Sequence, residues 1–466
     1  MEIHSKIIIE IAYLIASTLF IVGIKLLGKP ATARKGNMIS AAGMLIAVLV
    51  TLINQRVLGF VEILICVTVG SAIGAYYAKR VEMTAIPQMV AIFNGFGGAA
   101  SVLVAASEYW RIIETGETLP GGFVSSTMLV GGIIGSITLT GSLIAFGKLQ
   151  GIVSGGAITF KGQHPLNALL AVLMLVACVF FVIDPSAQSL MIAILSIALL
   201  LGVLTVIPIG GADMPVVVSL LNSYSGLAAC ATGFVLQNNV LIIAGALVGA
   251  SGLILTNIMC KGMNRSLVNV LLGGFGTESG AIASADGKEI LVKEVGIEEA
   301  AMIFDSASNV IIVPGYGMAV AQAQHIVQEL SELLSKKGIN CRFAIHPVAG
   351  RMPGHMNVLL AEANVPYENL VEMDSINDDF QNADIALVIG ANDVVNPAAK
   401  NNPSSPIYGM PVMNVEKATT VIVCKRGMAA GYAGIENELF GYNNCLMLFG
   451  DAKSTITGVV SEIKNL

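Results

Sequence analysis

Apolar residues dominate the first 260 positions almost without interruption, then give way to short apolar runs set between polar stretches of helical period. A helix needs roughly 20 apolar residues to cross a ~30 Å hydrocarbon layer. Nine segments approach that length, at about 7–27, 37–53, 58–78, 85–107, 123–146, 166–183, 189–207, 213–236 and 239–260. The second and sixth are short, glycines interrupt the fifth, and Ser107–Gly122, carrying Glu108, Arg111, Glu114 and Glu117, reads as a polar loop. The first run exceeds the ~7–15 residues of a signal-peptide core and follows a start with both Glu2 and Lys6, so it reads as a retained span.

Beyond Arg265, the stretch Gly273–Glu289 (GGFGTESGAIASADGKE) has the composition of a linker. The period then changes. Apolar runs at 309–314, 341–345, 369–373, 385–392, 419–424 and 445–450 alternate with helical patterns at about 318–337 and 355–363 and at the C-terminus, which predicts a parallel, doubly wound sheet. The expected fold is a multi-span α-helical membrane bundle (1–262), a hinge (263–290) and an α/β Rossmann-like parallel-sheet domain (291–466).

Charge supports this division. Only 12% of residues are charged, against about 25% in a typical soluble protein. Twenty of the 56 charges fall in the first 260 residues and 36 in the last 206. A net charge of -6 without any basic run argues against nucleic acid as a partner. The seven cysteines form no C-x-x-C, and four lie in apolar stretches, which argues against a disulfide framework, a zinc site or an iron–sulfur cluster. With the C-terminus inside, ten loop cations (Lys25, Lys29, Arg34, Lys35, Lys79, Arg80, Lys148, Lys161, Lys261, Arg265) face the cytoplasm, and Lys6, Arg56 and Arg111 face out.

The sharpest motif is VIIVPGYGMAVAQAQ, in which a strand runs into Gly315-Tyr316-Gly317 and then a helix, with Val320 in the place of a third glycine. Such a turn lets a pyrophosphate approach the backbone at a helix N-terminus. The acidic residue that would bind the ribose 2′-hydroxyl of NAD is missing. The next strand and its loop hold Arg342, His346 and Arg351, and Lys425-Arg426 follow a later strand, which favours a 2′-phosphate and hence NADP. Asn392 and Asp393 follow the strand ending near 391. Asp393 either orients a nicotinamide or forms an Asx turn. GRMPGH (Gly350–His355) and MAAGYAGIEN (Met428–Asn437) have enough glycine to close over a ligand.

Within the spans no histidine occurs, which excludes a bis-histidine haem. The polar residues there are Glu62, Asn94, Asp213 and Asn222-Ser223-Tyr224-Ser225. Nine residues at ~1.5 Å each place Asn94 and Asn222 near the midplane, either as holders of a proton-carrying water chain or as interhelical hydrogen-bond glue. Asp213 is either the N-cap of a helix or a proton exit, and Arg265 either a positive-inside anchor or a coupling contact.

Taken together, Gly210–Gly226, Met259–Leu267, Val313–Gln324, His346–Ala363, Gly390–Ala399, Ser405–Val412, Cys424–Gly434 and Phe449–Thr455 make the chain resemble the β subunit of proton-translocating NAD(P)+ transhydrogenase. The resemblance implies an enzyme active only with its α subunit, in an α2β2 assembly with a β–β dimer in a bacterial inner membrane. Hydride would pass from NADH on the α subunit to NADP(H) here, with protons crossing inward. It further implies that Gly315, Tyr316, Gly317, Ala319, Val320, Arg351, Met352, Pro353, Gly390, Asn392, Asp393, Gly450 and Asp451 surround the nucleotide. Lys425 and Arg426 would grip the 2′-phosphate, and Tyr432 would belong to a lid. Asp213, Asn222 and Arg265 would couple the membrane to the domain. Asn94 departs from the histidine found there in some members, and an amide cannot titrate near neutral pH. An NADP(H)-gated channel or transporter is the rival reading.

Overall fold

The computed structural model describes residues 2–54, 60–116, 121–271, 291–352, 354–405, 407–431 and 433–466. The linker stretch and the sequence-assigned site residues Pro353 and Tyr432 lie outside them. The chain divides into two compact units, one up to Thr256, the other comprising Asn257–Val270 and the C-terminal part.

The long helices are α1 (Glu2–Leu27), α2 (Pro30–Asn54), α3 (Phe60–Arg80), α4 (Ile86–Thr115), α5 (Gly122–Leu149), α6 (Gln163–Ile183), α7 (Gln188–Val206), α8 (Met214–Val235) and α9 (Asn239–Gly262). Among the described residues, these nine are long and apolar enough to cross a membrane. One expectation is corrected, because α4 continues to Thr115 through the first half of the anticipated polar loop. Arg111 and Glu108 pair one turn apart at 2.8 Å, and the Thr115 hydroxyl donates to the Arg111 carbonyl at 2.9 Å. Buried Tyr109 donates to the Pro185 carbonyl at 3.0 Å. Glu108 and Arg111 thus pair along the helix, and Gly116, left-handed at φ 64°, ends it. The glycines of α5 do not interrupt that helix either.

Burial is graded through the bundle. The most apolar stretch of α8 is 67% buried, whereas that of α3 has no buried residue. α8 is therefore the central helix, and it is the one that carries Asn222 and its hydroxyl neighbours. Where α4 crosses α5, a methyl group at Gly98 would lie 2.5 Å from the Gly135 carbonyl, and one at Gly135 would lie 2.8 Å from the Gly98 carbonyl. This contact is backbone against backbone, the packing that replaces the hydrophobic drive between helices in lipid.

In the second unit seven parallel strands form one sheet: β1 (Lys293–Glu294), β2 (Asn309–Pro314), β3 (Asn340–Ile345), β4 (Leu370–Glu372), β5 (Ile385–Ile389), β6 (Thr420–Lys425) and β7 (Cys445–Phe449). Their order is β1-β7-β6-β5-β2-β3-β4. Counted from β2, this is the 3-2-1-4-5-6 arrangement of dinucleotide-binding sheets with one extra edge strand. Every residue of β5 is buried, as expected for a strand covered on both faces.

The helix expected at 318–337 is two helices, Tyr316–Val320 and Gln324–Lys336. Gln322 adopts φ 50°, and the Ala323 and Gln322 N–H groups return to the Met318 and Ala319 carbonyls, both at 3.0 Å. That is a Schellman ending with a non-glycine residue in the left-handed position, which no glycine or proline announces in the sequence.

Replacing Gly98 with alanine should separate α4 from α5 at a cost of roughly 1–3 kcal/mol. Gly70 on α3, where an added methyl would meet nothing within 4 Å, should tolerate alanine with about ±0.5 kcal/mol of change. Thermal unfolding of the two purified variants in detergent checks this, and equal midpoints would contradict the crossing.

Candidate functional site

The sheet register gathers the sequence-assigned loops. Pro314 pairs with Ile389, Ile389 with Cys424, and Lys425 with Phe449, so the chain leaves β2, β5, β6 and β7 along one edge of the sheet. A cleft of about 270 Å³ lies there, lined by residues that include Gly317, Val320, Gly390, Asn392, Lys425, Arg426, Gly431 and Gly450. It spans the point where the strand order reverses between β2 and β5, the usual ligand position in open α/β sheets.

Glycine makes this crossing possible. The Gly315 N–H donates to the Ile389 carbonyl at 2.8 Å, and the Gly317 N–H to the Gly390 carbonyl at 2.9 Å. A methyl at Gly317 would lie 2.7 Å from the Gly390 Cα, and Gly390 itself holds φ 66°. Gly315 and Ala319 are buried beneath the wall, while Val320 is exposed on the cleft. Tyr316 is covered by Arg351, whose guanidinium carbon sits 4.4 Å from the ring centroid, and His355 stands 5.8 Å away, centroid to centroid. Arg351 Nε is buried without a hydrogen-bond partner, and Met352 beside it is half-buried.

Of the basic residues in the sequence motif, two are committed elsewhere. Arg342 pairs with Asp379 at 2.6 Å. His346 is buried, accepts at Nδ1 from the Val348 N–H at 3.2 Å and hence donates from Nε2 to the Pro411 carbonyl at 2.8 Å. Burial pulls its pKa down to about 4, against smaller opposing effects of the Pro411 bond and Asp374. It is a neutral brace for the loop after β3. Lys425 and Arg426 remain on the cleft. Lys425 donates to the Gly427 carbonyl at 2.8 Å and to that of Ala429, and burial lowers its pKa against the pull of Asp393. Arg426 pairs with Asp451 at 2.7 Å, a bond that holds this carboxyl below its usual range. Asp451 also caps the C-terminal helix Ala452–Asn465 through the Lys453 and Ser454 N–H groups. Cys424 lines the cleft, but burial and then Asp451 push its thiol up to about 12, so it stays protonated.

The loop after β5 binds the glycine-rich segment 428–437. Asp393 Oδ2 accepts from the Ala433 N–H at 2.9 Å, Asn392 Oδ1 from Asn437 Nδ2 at 2.9 Å, and the Glu436 carbonyl from Asn396 Nδ2 at 3.0 Å. Sequence reasoning overlooked Asn396 and Asn437. Their signal was available, since asparagines beside turns bond to backbone.

In the bundle, buried Asn94 donates from α4 to the Val218 carbonyl of α8 at 3.2 Å, one turn before half-buried Asn222. Ser223 donates to the Gly249 carbonyl at 2.6 Å. Ser142 of α5 packs against Gly95, next to Asn94, and its buried hydroxyl has no hydrogen-bond partner. A serine inside an apolar run gave no sequence signal for this. Asp213 occupies the N-cap position of α8, without a side-chain capping bond to that helix. Arg265 is half-buried after α9, and Glu62 is exposed on α3.

Below pH 6.5 an unfolded histidine takes up a proton while folded His346 does not. Stability contributed by the neutral ring is complete above pH 6.5 and lost as pH falls toward 4, by roughly 3 kcal/mol. Between pH 6.5 and 4.5 the denaturant midpoint of the wild-type second unit should therefore fall more steeply than that of His346→Gln. Parallel curves would contradict the buried neutral assignment.

Residues 9–462 match the family described as NAD(P) transhydrogenase beta subunit. Two relatives from Rhodospirillum rubrum, both named NAD(P) transhydrogenase subunit beta, are each 55% identical to the chain over 459 residues, covering 97% of it and 98% of their own length. With nine long apolar helices among the described residues, followed by a dinucleotide-type sheet over the same span, the chain belongs to the NAD(P) transhydrogenase beta subunit family.

Proposed function

We propose that this chain binds NADP(H) in the cleft at the β2/β5 crossing and couples hydride exchange with NADH, held on an α subunit, to proton movement through its helices. The observation that carries this reading is the meeting of Lys425 and Arg426 with the Gly317 and Gly390 turns in the walls of one cleft. The residues fit such a group. Backbone is bared at two turns where a methyl has no room, and two cations, Lys425 and Arg426, line the same cleft at the carboxyl end of β6.

The bound nicotinamide supplies the hydride chemistry, and the chain supplies position. Gly317 and Val320 would flank the pyrophosphate, with Gly315, Tyr316 and Ala319 shaping the turn behind them. Arg351 and Met352, with Pro353, would lie along the nucleotide. Lys425 and Arg426 would exchange their present oxygen partners for a 2′-phosphate, with Gly450 and Asp451 beside them, and Tyr432 would close the lid. Asn392 and Asp393, which already tether the loop carrying Ala433 and Asn437, would set the nicotinamide end. Asn94, Asn222, Asp213 and Arg265 would make the proton path and its coupling, the two amides holding water rather than titrating. The domain limits given above, an α2β2 assembly with a β–β dimer, and a bacterial inner membrane with the nucleotide domain cytoplasmic complete the proposal.

The reading is tested by joining the purified chain to its α subunit in sealed vesicles and following hydride transfer from NADH to an NADP analogue together with vesicle pH. Transfer accompanied by an ionophore-sensitive pH change is expected; a pH response to nucleotide without transfer would instead indicate a gated channel. Removing either Lys425 or Arg426 to alanine should weaken NADPH binding by roughly 10–100-fold, the loss of one charge-assisted contact. Equilibrium titration of the isolated variants reads this, and unchanged affinity would remove both cations from the phosphate site.

A further inference from the structure

Lys148 lies one residue before the end of α5 and is 5% exposed. Its ammonium donates to three main-chain carbonyls, those of Gly156 at 2.8 Å, Ile207 at 2.6 Å and Ile209 at 2.8 Å. A lysine has three N–H donors, so its capacity is used in full, and on backbone alone. Burying an ammonium costs several kcal/mol unless every donor is satisfied. An apolar residue would avoid that cost if filling space were the only need. What the charge does is hold carbonyls that have no helical partner, because Ile207 and Ile209 lie beyond the last residue of α7.

These segments form a plate across one end of the bundle. The Gly211 N–H donates to the Gly155 carbonyl at 2.7 Å, the Ile158 N–H to the Ile207 carbonyl at 3.3 Å, and the Val153 N–H to the Gly147 carbonyl at 2.9 Å. Gln88, in the first turn of α4, donates to the Leu149 carbonyl at 3.3 Å. From Ile209 the chain passes directly into the Gly211–Asp213 turn and then α8. Lys148 therefore joins the end of α5, which carries Ser142, to the turn that carries Asp213.

We propose that Lys148 is a positioning residue for proton translocation. Its ammonium fixes the Ile207–Asp213 turn to α5, so that Asp213 and the start of α8 keep one geometry relative to Asn94 and Ser142. This rests on the reading of that polar set as the proton path.

The test uses the full chain with its α subunit in vesicles, comparing wild type, Lys148→Met and Lys148→Arg by NADPH affinity and by proton flux during hydride transfer. In Lys148→Met, NADPH affinity should stay within about twofold of wild type while proton flux falls about tenfold, the scale of a site misplaced by a fraction of an ångström. Lys148→Arg, which keeps charge and donors, should recover most of the flux. If Lys148→Met fails to accumulate in the membrane, Lys148→Gln, with two donors and no charge, takes its place with the same expectation. Wild-type flux in the neutral variants, or a Lys148→Arg variant as impaired as they are, overturns the inference. Absence of proton movement in the wild type would fail the underlying reading instead.

Discussion

A methyl group at Gly390 would lie 2.5–2.6 Å from the backbone of Gly317, and the cleft at the β2/β5 crossing depends on that exclusion. Two chain turns, one after β2 and one after β5, must cross with no side chain between them before the loops after β6 and β7 can complete a wall. The same constraint recurs in the bundle, where Gly98 and Gly135 let α4 and α5 touch backbone to backbone and Gly226, Gly245 and Gly249 do so for α8 and α9. In the sheet the bared backbone becomes a surface a phosphate can approach. In hydrocarbon it takes the place of hydrophobic association.

Each unit also holds one lysine against backbone oxygen. Lys425 is held by the Gly427 and Ala429 carbonyls, and Lys148 by three carbonyls beyond α7 and in the loop after α5. The consequences differ with burial. Lys425 sits at a cleft, where its carbonyl partners can be exchanged for those of an anion, whereas Lys148 is enclosed and fixes a turn. Arg426, beside Lys425, is instead paired with a carboxylate, Asp451, that also caps a helix. A phosphate arriving there meets a guanidinium already oriented through one of its nitrogens.

The sequence was legible where one physical pattern acted alone. Long apolar runs announced the spans, and β-branched runs ending in Gly315 or Gly390 announced strands of the central sheet. It was misleading where two signals competed. Glu108, Arg111 and Glu114 looked like a loop because charge was read without its one-turn spacing, which lets α4 continue. The break at Gln322 had no sequence mark, since a Schellman ending normally advertises itself with glycine or asparagine. β1 and the helix Ile297–Asp305 were missed, the first because two residues are too few to show a period. At the site, Lys425 and Arg426 were readable as cations without an acid, yet nothing in one dimension showed that Arg342 would be taken by Asp379 or that His346 would be buried and neutral. Ser142 and Lys148 acquire meaning only from the neighbours that folding gives them.

Discrimination between phosphorylated and unphosphorylated nicotinamide nucleotides tests the central claim most directly, because the proposed site gives Lys425 and Arg426 to the 2′-phosphate, which NADH lacks. Titrating the purified full-length chain with NADPH and NADH at one salt concentration should give an affinity for NADPH at least about 100-fold higher, the worth of two charge-assisted contacts at the low end of their range. Equal affinities would contradict the assignment of the cleft.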